Sequence, residues 1–74
     1  MTQKTIRSEI TGTVWKIVVQ EGDALEADDT IMILESMKME IPVVAPGSGR
    51  LVKLLVAEGA QVREGQDVAI FDEE

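Results

Sequence analysis

The chain is 74 residues long with a formal net charge of −7, no cysteine and no histidine. Disulfide staples, thiolate nucleophiles and imidazole chemistry are therefore excluded, and the acidic balance argues against nucleic acid and anionic membrane faces as partners. With 45% hydrophobic residues the chain reads as one small domain, residues 1–74, with a modest core.

The N-terminal MTQKTIRSEI lacks the apolar stretch of a secretory signal, and no apolar run approaches the ~20 residues of a spanning helix, so a cytoplasmic protein is expected. TIRSEI (5–10) is read as a first outer strand. VWKIVV (14–19) is β-branched and bounded by turn residues, which predicts a strand. Glu21-Gly22 marks a tight turn, LEA (25–27) a short connecting strand and IMIL (31–34) a longer one. After ESMKME (35–40), EIPVVA (40–45) is read as the outer strand matching TIRSEI, and Pro42 and Pro46 suit edges or strand ends. LVKLLV (51–56), the turn at Glu58-Gly59, VRE (62–64) and VAIF (68–71) follow, and Asp72-Glu73-Glu74 reads as a solvated tail. Gly12 and Gly49 are expected as turn formers, Lys4, Lys16 and Lys53 as surface charges, and Met32 as core filler. Asp28 and Asp29 lack the alternating oxygen ligands of a calcium loop. These elements make an all-β chain of about eight short strands in two small antiparallel sheets.

Shifting the sequence by 37 residues lays TGTVWKIVVQEGDALEADDTIMILE over SGRLVKLLVAEGAQVREGQDVAIFD without a gap. Gly12 meets Gly49, Lys16 meets Lys53, Glu21-Gly22 meets Glu58-Gly59 and Ile33 meets Ile70, while apolar positions coincide throughout. The repeat, 12–36 and 49–73, is too short for a solenoid and implies two halves packed about a pseudo-two-fold axis. Lys38 follows the first unit, and its image would be residue 75, so the two-fold puts the chain termini opposite the Lys38 turn. A hairpin with no Gly or Asn at its tip must hold ordinary residues at positive φ, costing roughly 1–2 kcal/mol each. Met37 and Met39 are then exposed rather than core, which suits a recognition surface.

GDALEADDTIMILESMKMEI resembles the biotin-attachment pattern of the biotinyl domain family, and APGSGRL resembles the A-P-x-x-G-x-V that follows it; together with the repeat the likeness covers roughly residues 10 to 73. The nearest likeness is to stand-alone biotin carboxyl carrier proteins of biotin-dependent carboxylases. The resemblance implies a flattened β-barrel or sandwich of two four-stranded antiparallel sheets. It implies that Lys38, at an exposed hairpin tip, takes covalent biotin from a biotin protein ligase, with Glu35, Met37 and Met39 helping the ligase choose it. It further implies a non-catalytic carrier that shuttles carboxylate between biotin carboxylase and carboxyltransferase, serving an acyl-CoA carboxylase as in fatty acid biosynthesis. An exposed lysine ammonium is a poor nucleophile at neutral pH, and no base is evident nearby, so an external enzyme must activate the acyl donor.

The chain departs from the family in two places. Asp28 stands where the family carries Gly, although the second unit keeps Gly65, and SEITG lacks the Ala-Pro that precedes Gly47. The equal length of the two units leaves no room for an inserted segment over the biotin, so a mobile, exposed arm is expected. With no Pro/Ala-rich linker, the chain is expected to be a free subunit or an excised piece, and its charge favours a monomer. Two rivals remain. Lipoyl carriers share the fold but usually place Asp before the lysine and Ala or Val after it, and a chain accepting both groups is an intermediate case. An unmodified interaction module of the same hybrid fold would leave Met-Lys-Met without a role.

Overall fold

A computed structural model describes residues 2–74. Eight strands follow in order: β1 (Thr2–Arg7), β2 (Gly12–Ile17), β3 (Ala24–Leu25), β4 (Thr30–Ser36), β5 (Met39–Val44), β6 (Gly49–Leu54), β7 (Gln61–Val62) and β8 (Asp67–Glu73). They form two four-stranded antiparallel sheets, ordered β1-β8-β6-β3 and β5-β4-β2-β7. The pairing leaves two separate sheets, so of barrel and sandwich the molecule is a sandwich.

Every strand of the first half recurs 37 residues later with the same length. The bulges recur as well: Trp15 is the extra residue between Val14 and Lys16 opposite β4, and Val52 is its counterpart between Leu51 and Lys53 opposite β8. Such an insertion bends the strand and increases its twist. The core is drawn from both sheets, with Val14, Ile31, Met32 and Leu34 facing Leu51, Val68, Ala69 and Phe71. These pair off across the two-fold, Val14 with Leu51 and Leu34 with Phe71, so each half supplies the same apolar face.

Carboxylates from each half stitch the other. Glu21 accepts a hydrogen bond from the Leu54 backbone N–H at 2.9 Å, and Glu58 accepts one from Ile17 at 2.9 Å. The Glu-Gly pairs are therefore more than turn signals: each glutamate satisfies a strand-end donor that no neighbouring strand reaches.

Several boundaries differ from the sequence reading. The first outer strand is Thr2–Arg7 rather than 5–10, and the second is Met39–Val44 rather than 40–45. Ser8 leaves the strand because its N–H and C=O are taken by Gln66 and Gly65, while its buried hydroxyl turns to the Ile10 carbonyl. With that register the outer strands also obey the 37-residue offset. VWKIVV and LVKLLV give way to strands that begin two residues earlier, at Gly12 and Gly49, and end at Ile17 and Leu54. LEA and VRE shrink to two-residue bridges, Ala24–Leu25 and Gln61–Val62.

Gly12 and Gly49 are strand residues rather than turn formers. A side-chain carbon on Gly12 would meet the Glu35 carbonyl oxygen, and one on Gly49 the Asp72 carbonyl oxygen. The acidic tail is likewise structural: Asp72 and Glu73 are half-buried in β8, and Glu73 holds Lys4 at 2.6 Å.

Phe71 is fully buried, whereas Trp15 is 50% exposed. Phe71→Ala is expected to cost about 3–5 kcal/mol and Trp15→Ala less than about 1 kcal/mol, read as urea midpoints. Asp28 sits at φ 71°, matching Gly65 at 85° in the other half. Asp28→Gly should stabilise the chain by about 1 kcal/mol, because a non-glycine residue is strained there; an unchanged midpoint would contradict that account.

Candidate functional site

The site is built by β4 and β5. β4 is paired on both sides: Thr13 of β2 lies opposite Glu35, and Glu40 of β5 lies opposite Glu35 from the other edge. The last ladder pair is Ser36 with Met39, so the hairpin closes with Met37 and Lys38 alone. Their φ angles are 51° and 68°. Two consecutive left-handed residues give the type I′ geometry that matches the twist of a two-residue hairpin, normally filled by Asn and Gly. Here a methionine and a lysine occupy it, as the glycine-free sequence requires. Strain of this kind persists only where the surrounding structure over-determines it. The doubly paired base of β4 supplies that determination, and Gly12 lets β2 close against the Glu35 backbone.

Lys38 is exposed, Met37 is 92% exposed and Met39 61% exposed. The alternative in which both methionines enter the core is therefore wrong: the strand turns back before it could carry them inward. Among the described residues Lys38 makes no ion pair and no side-chain hydrogen bond. Glu35 and Glu40, both exposed, face each other across the ladder just below the tip. Like charges directly opposite are unfavourable, and this pair sets an acidic rung beneath the one cation of the hairpin. Acylation of Lys38 would remove that cation and leave the hairpin with net negative charge. Of the residues singled out in the sequence, Glu35, Met37, Lys38 and Met39 thus lie within one two-residue hairpin and its last rungs.

The hairpin tip and the chain ends occupy equivalent positions in the two halves. Thr2 pairs with Glu73 as Met39 pairs with Ser36. They lie at different poles. Ser36 adjoins Gly12, beyond the distal end of β1, whereas Glu73 adjoins Gly49 at its start. The six residues of β1 separate them by about 20 Å.

What sequence reasoning missed is the setting. Four residues at the β1–β2 end, Ile6, Arg7, Glu9 and Ile10, form one wall of a groove whose other wall includes Leu34 and Ile41 of the hairpin arms. No spacing rule signals it, because it arises only where two edge strands from different sheets meet.

Known proteins resemble the chain along nearly its full length. A biotinylated protein TB7.3 homolog of Mycobacterium leprae is 42% identical over 66 residues, covering 89% of this chain and 93% of that protein. Methylcrotonoyl-CoA carboxylase subunit alpha of Rattus norvegicus is 38% identical over 73 residues, and there the chain spans only 10% of the relative's length. The crystal structure of the urea carboxylase of Kluyveromyces lactis superposes with a TM-score of 0.91 at 39% identity, covering 97% of this chain and 6% of that one. The biotin/lipoyl family described as "biotin-requiring enzyme" matches residues 3–71. The chain belongs to that biotin/lipoyl attachment family.

Proposed function

We propose that the chain is a biotin carboxyl carrier whose Lys38 amine is acylated by a biotin protein ligase. The observation that carries this reading is an exposed Met-Lys-Met held in a strained two-residue hairpin on a doubly paired base. The same element is open to a ligase and projects from the body. Its lysine is engaged by no neighbour among the described residues, so forming an amide there breaks no existing ion pair or side-chain hydrogen bond. When bound, biotin supplies a site that accepts a carboxylate and gives it up again. The chain's own residues hold the attachment point away from the core, present Met37 and Met39 as apolar contact area, and keep the tip narrow enough to enter another protein's cleft. With neither cysteine nor histidine, activation of bicarbonate and of the acceptor falls to partners, a biotin carboxylase and a carboxyltransferase. An acyl-CoA is the acceptor class we favour. A monomer in the cytoplasm suits an acidic body that must visit two active sites.

Glu35, Met37 and Met39 are proposed as the groups the ligase reads. Met37 and Met39 offer flexible thioethers that adapt to a partner groove, and the exposed Glu35 stands one rung below the pair that closes the turn.

Incubation with ATP, biotin and a biotin protein ligase should add one biotinyl group by intact mass, and Lys38→Arg should abolish the gain; an adduct that survives the substitution would move the site elsewhere. The family also embraces lipoyl attachment, which makes the flanking residues decisive. Met37→Asp with Met39→Ala, the flanks usual in lipoyl carriers, should lower the rate of biotinylation at least tenfold and raise modification by lipoate ligase in a parallel reaction. Equal rates for parent and variant would show that the methionines are not read.

A further inference from the structure

We infer that the groove between β1 and β5 is a resting site for the biotin carried on Lys38. The inference rests on the carrier reading above and replaces the freely exposed arm expected from the equal repeat units with one that has a destination within this same chain. The groove offers about 310 Å³, open on one side, and is lined by Ile6, Arg7, Glu9, Ile10, Ile41 and Val43 among others. That volume is at the small end for ligand pockets and suits one compact bicyclic ring.

The lining carries the residue types that a biotin ring needs. Ile6, Ile10, Ile41 and Val43 offer an apolar bed for the sulfur-containing ring. Arg7 and Glu9 stand at the rim, both exposed. The Arg7 Nε holds Asp67 at 3.1 Å, which leaves the terminal guanidinium nitrogens to donate to a ureido carbonyl. The Glu9 carboxylate can accept from a ureido N–H. A urea needs one donor-bearing and one acceptor-bearing partner side by side, and the rim supplies both.

The arm reaches. Ile41 is three residues along β5 from Lys38, about 10 Å in an extended strand. The lysine side chain and the biotin tail together offer about ten single bonds of roughly 1.5 Å each, enough to span more than 10 Å.

The internal repeat provides a control. At the opposite pole the positions equivalent to Ser36, Ile41 and Ile10 are Glu73, Lys4 and Gly47. There Lys4 pairs with Glu73 at 2.6 Å, and the Glu73 carboxylate lies against Gly47. The pole without the acceptor lysine is thus filled by an ion pair, whereas the pole with it is left open, with an apolar floor and Arg7 and Glu9 at its rim. A resting site there shields the ring between visits to partner enzymes and releases it readily, since one face stays open to solvent.

The test begins with intact mass, to establish one biotinyl group on Lys38. Amide and methyl NMR spectra of the biotinylated and unmodified chains are then compared. The expected result is shifts at Ile6, Arg7, Ile10, Ile41 and Val43 beyond those of the hairpin, with proton contacts between the ring and the Ile10 and Ile41 methyls. Glu9→Ala and Ile10→Ala should each shrink these shifts and speed capture of the biotin by streptavidin two- to fivefold; exposed Glu9 keeps the test open if Ile10→Ala fails to fold. Shifts confined to residues 36–40, or centred on Thr11, Gln61 and Arg63 in the polar recess beside β7, would overturn the inference while leaving the carrier reading intact. Absence of any biotinyl group after ligase treatment would overturn both.

Discussion

Neither half of this molecule completes a sheet by itself. Each sheet has a central pair from one half and its two flanking strands from the other half: β8-β6 is flanked by β1 and β3, and β4-β2 by β5 and β7. The two glutamate-to-backbone bonds, Glu21 to Leu54 and Glu58 to Ile17, lock the same exchange. Everything else depends on this interlacing. The core is continuous because its apolar faces come from both halves, and the hairpin base is rigid because β4 is held between a strand of its own half and one of the other. Pairings so distant in sequence require loop closure before any return in contacts, which places the fold among the slower-forming topologies.

On that rigid frame the candidate attachment element is small. Two residues with left-handed backbone, on a ladder that ends at Ser36 and Met39, are enough to project one lysine from an acidic body. The strain sits where it can be tolerated, since the tip buries nothing and the base is secured by three strands. Met32, near the start of β4, is fully buried, whereas Met37 in the turn and Met39 at the start of β5 are exposed, so the same residue type is core below the hairpin and solvent-facing at its tip. Position along the hairpin, not residue type, decides which.

The repeat made much of this legible. Apolar coincidences at a fixed offset disclosed the two halves and the sheet-forming segments, and the absence of Gly or Asn in ESMKME announced positive φ at ordinary residues. The family pattern singled out Lys38 among the lysines. What stayed hidden depends on contacts between distant segments. The outer strands slipped from their positions because Ser8 is captured by Gly65 and Gln66, a link that no local propensity encodes. Glu21 and Glu58 looked like turn residues because their role is fulfilled in the opposite half. Gly12 and Gly49 looked like turn formers because close approach to a carbonyl and left-handed freedom leave the same letter in a sequence. Glu73 looked like a solvated end because Lys4, its partner, is nearly the whole chain away. The groove at the lysine pole was invisible for the same reason.

Thr2 and Glu73 end neighbouring strands, roughly 5 Å apart across one ladder rung. A polypeptide can therefore enter and leave this body through a single doorway, at the pole remote from Lys38. Splicing such a unit into a longer chain disturbs neither sheet and leaves the lysine facing outward, whatever is attached behind it. That geometry accounts physically for how one architecture can occur both as a protein scarcely longer than itself and as a tenth of a much larger one.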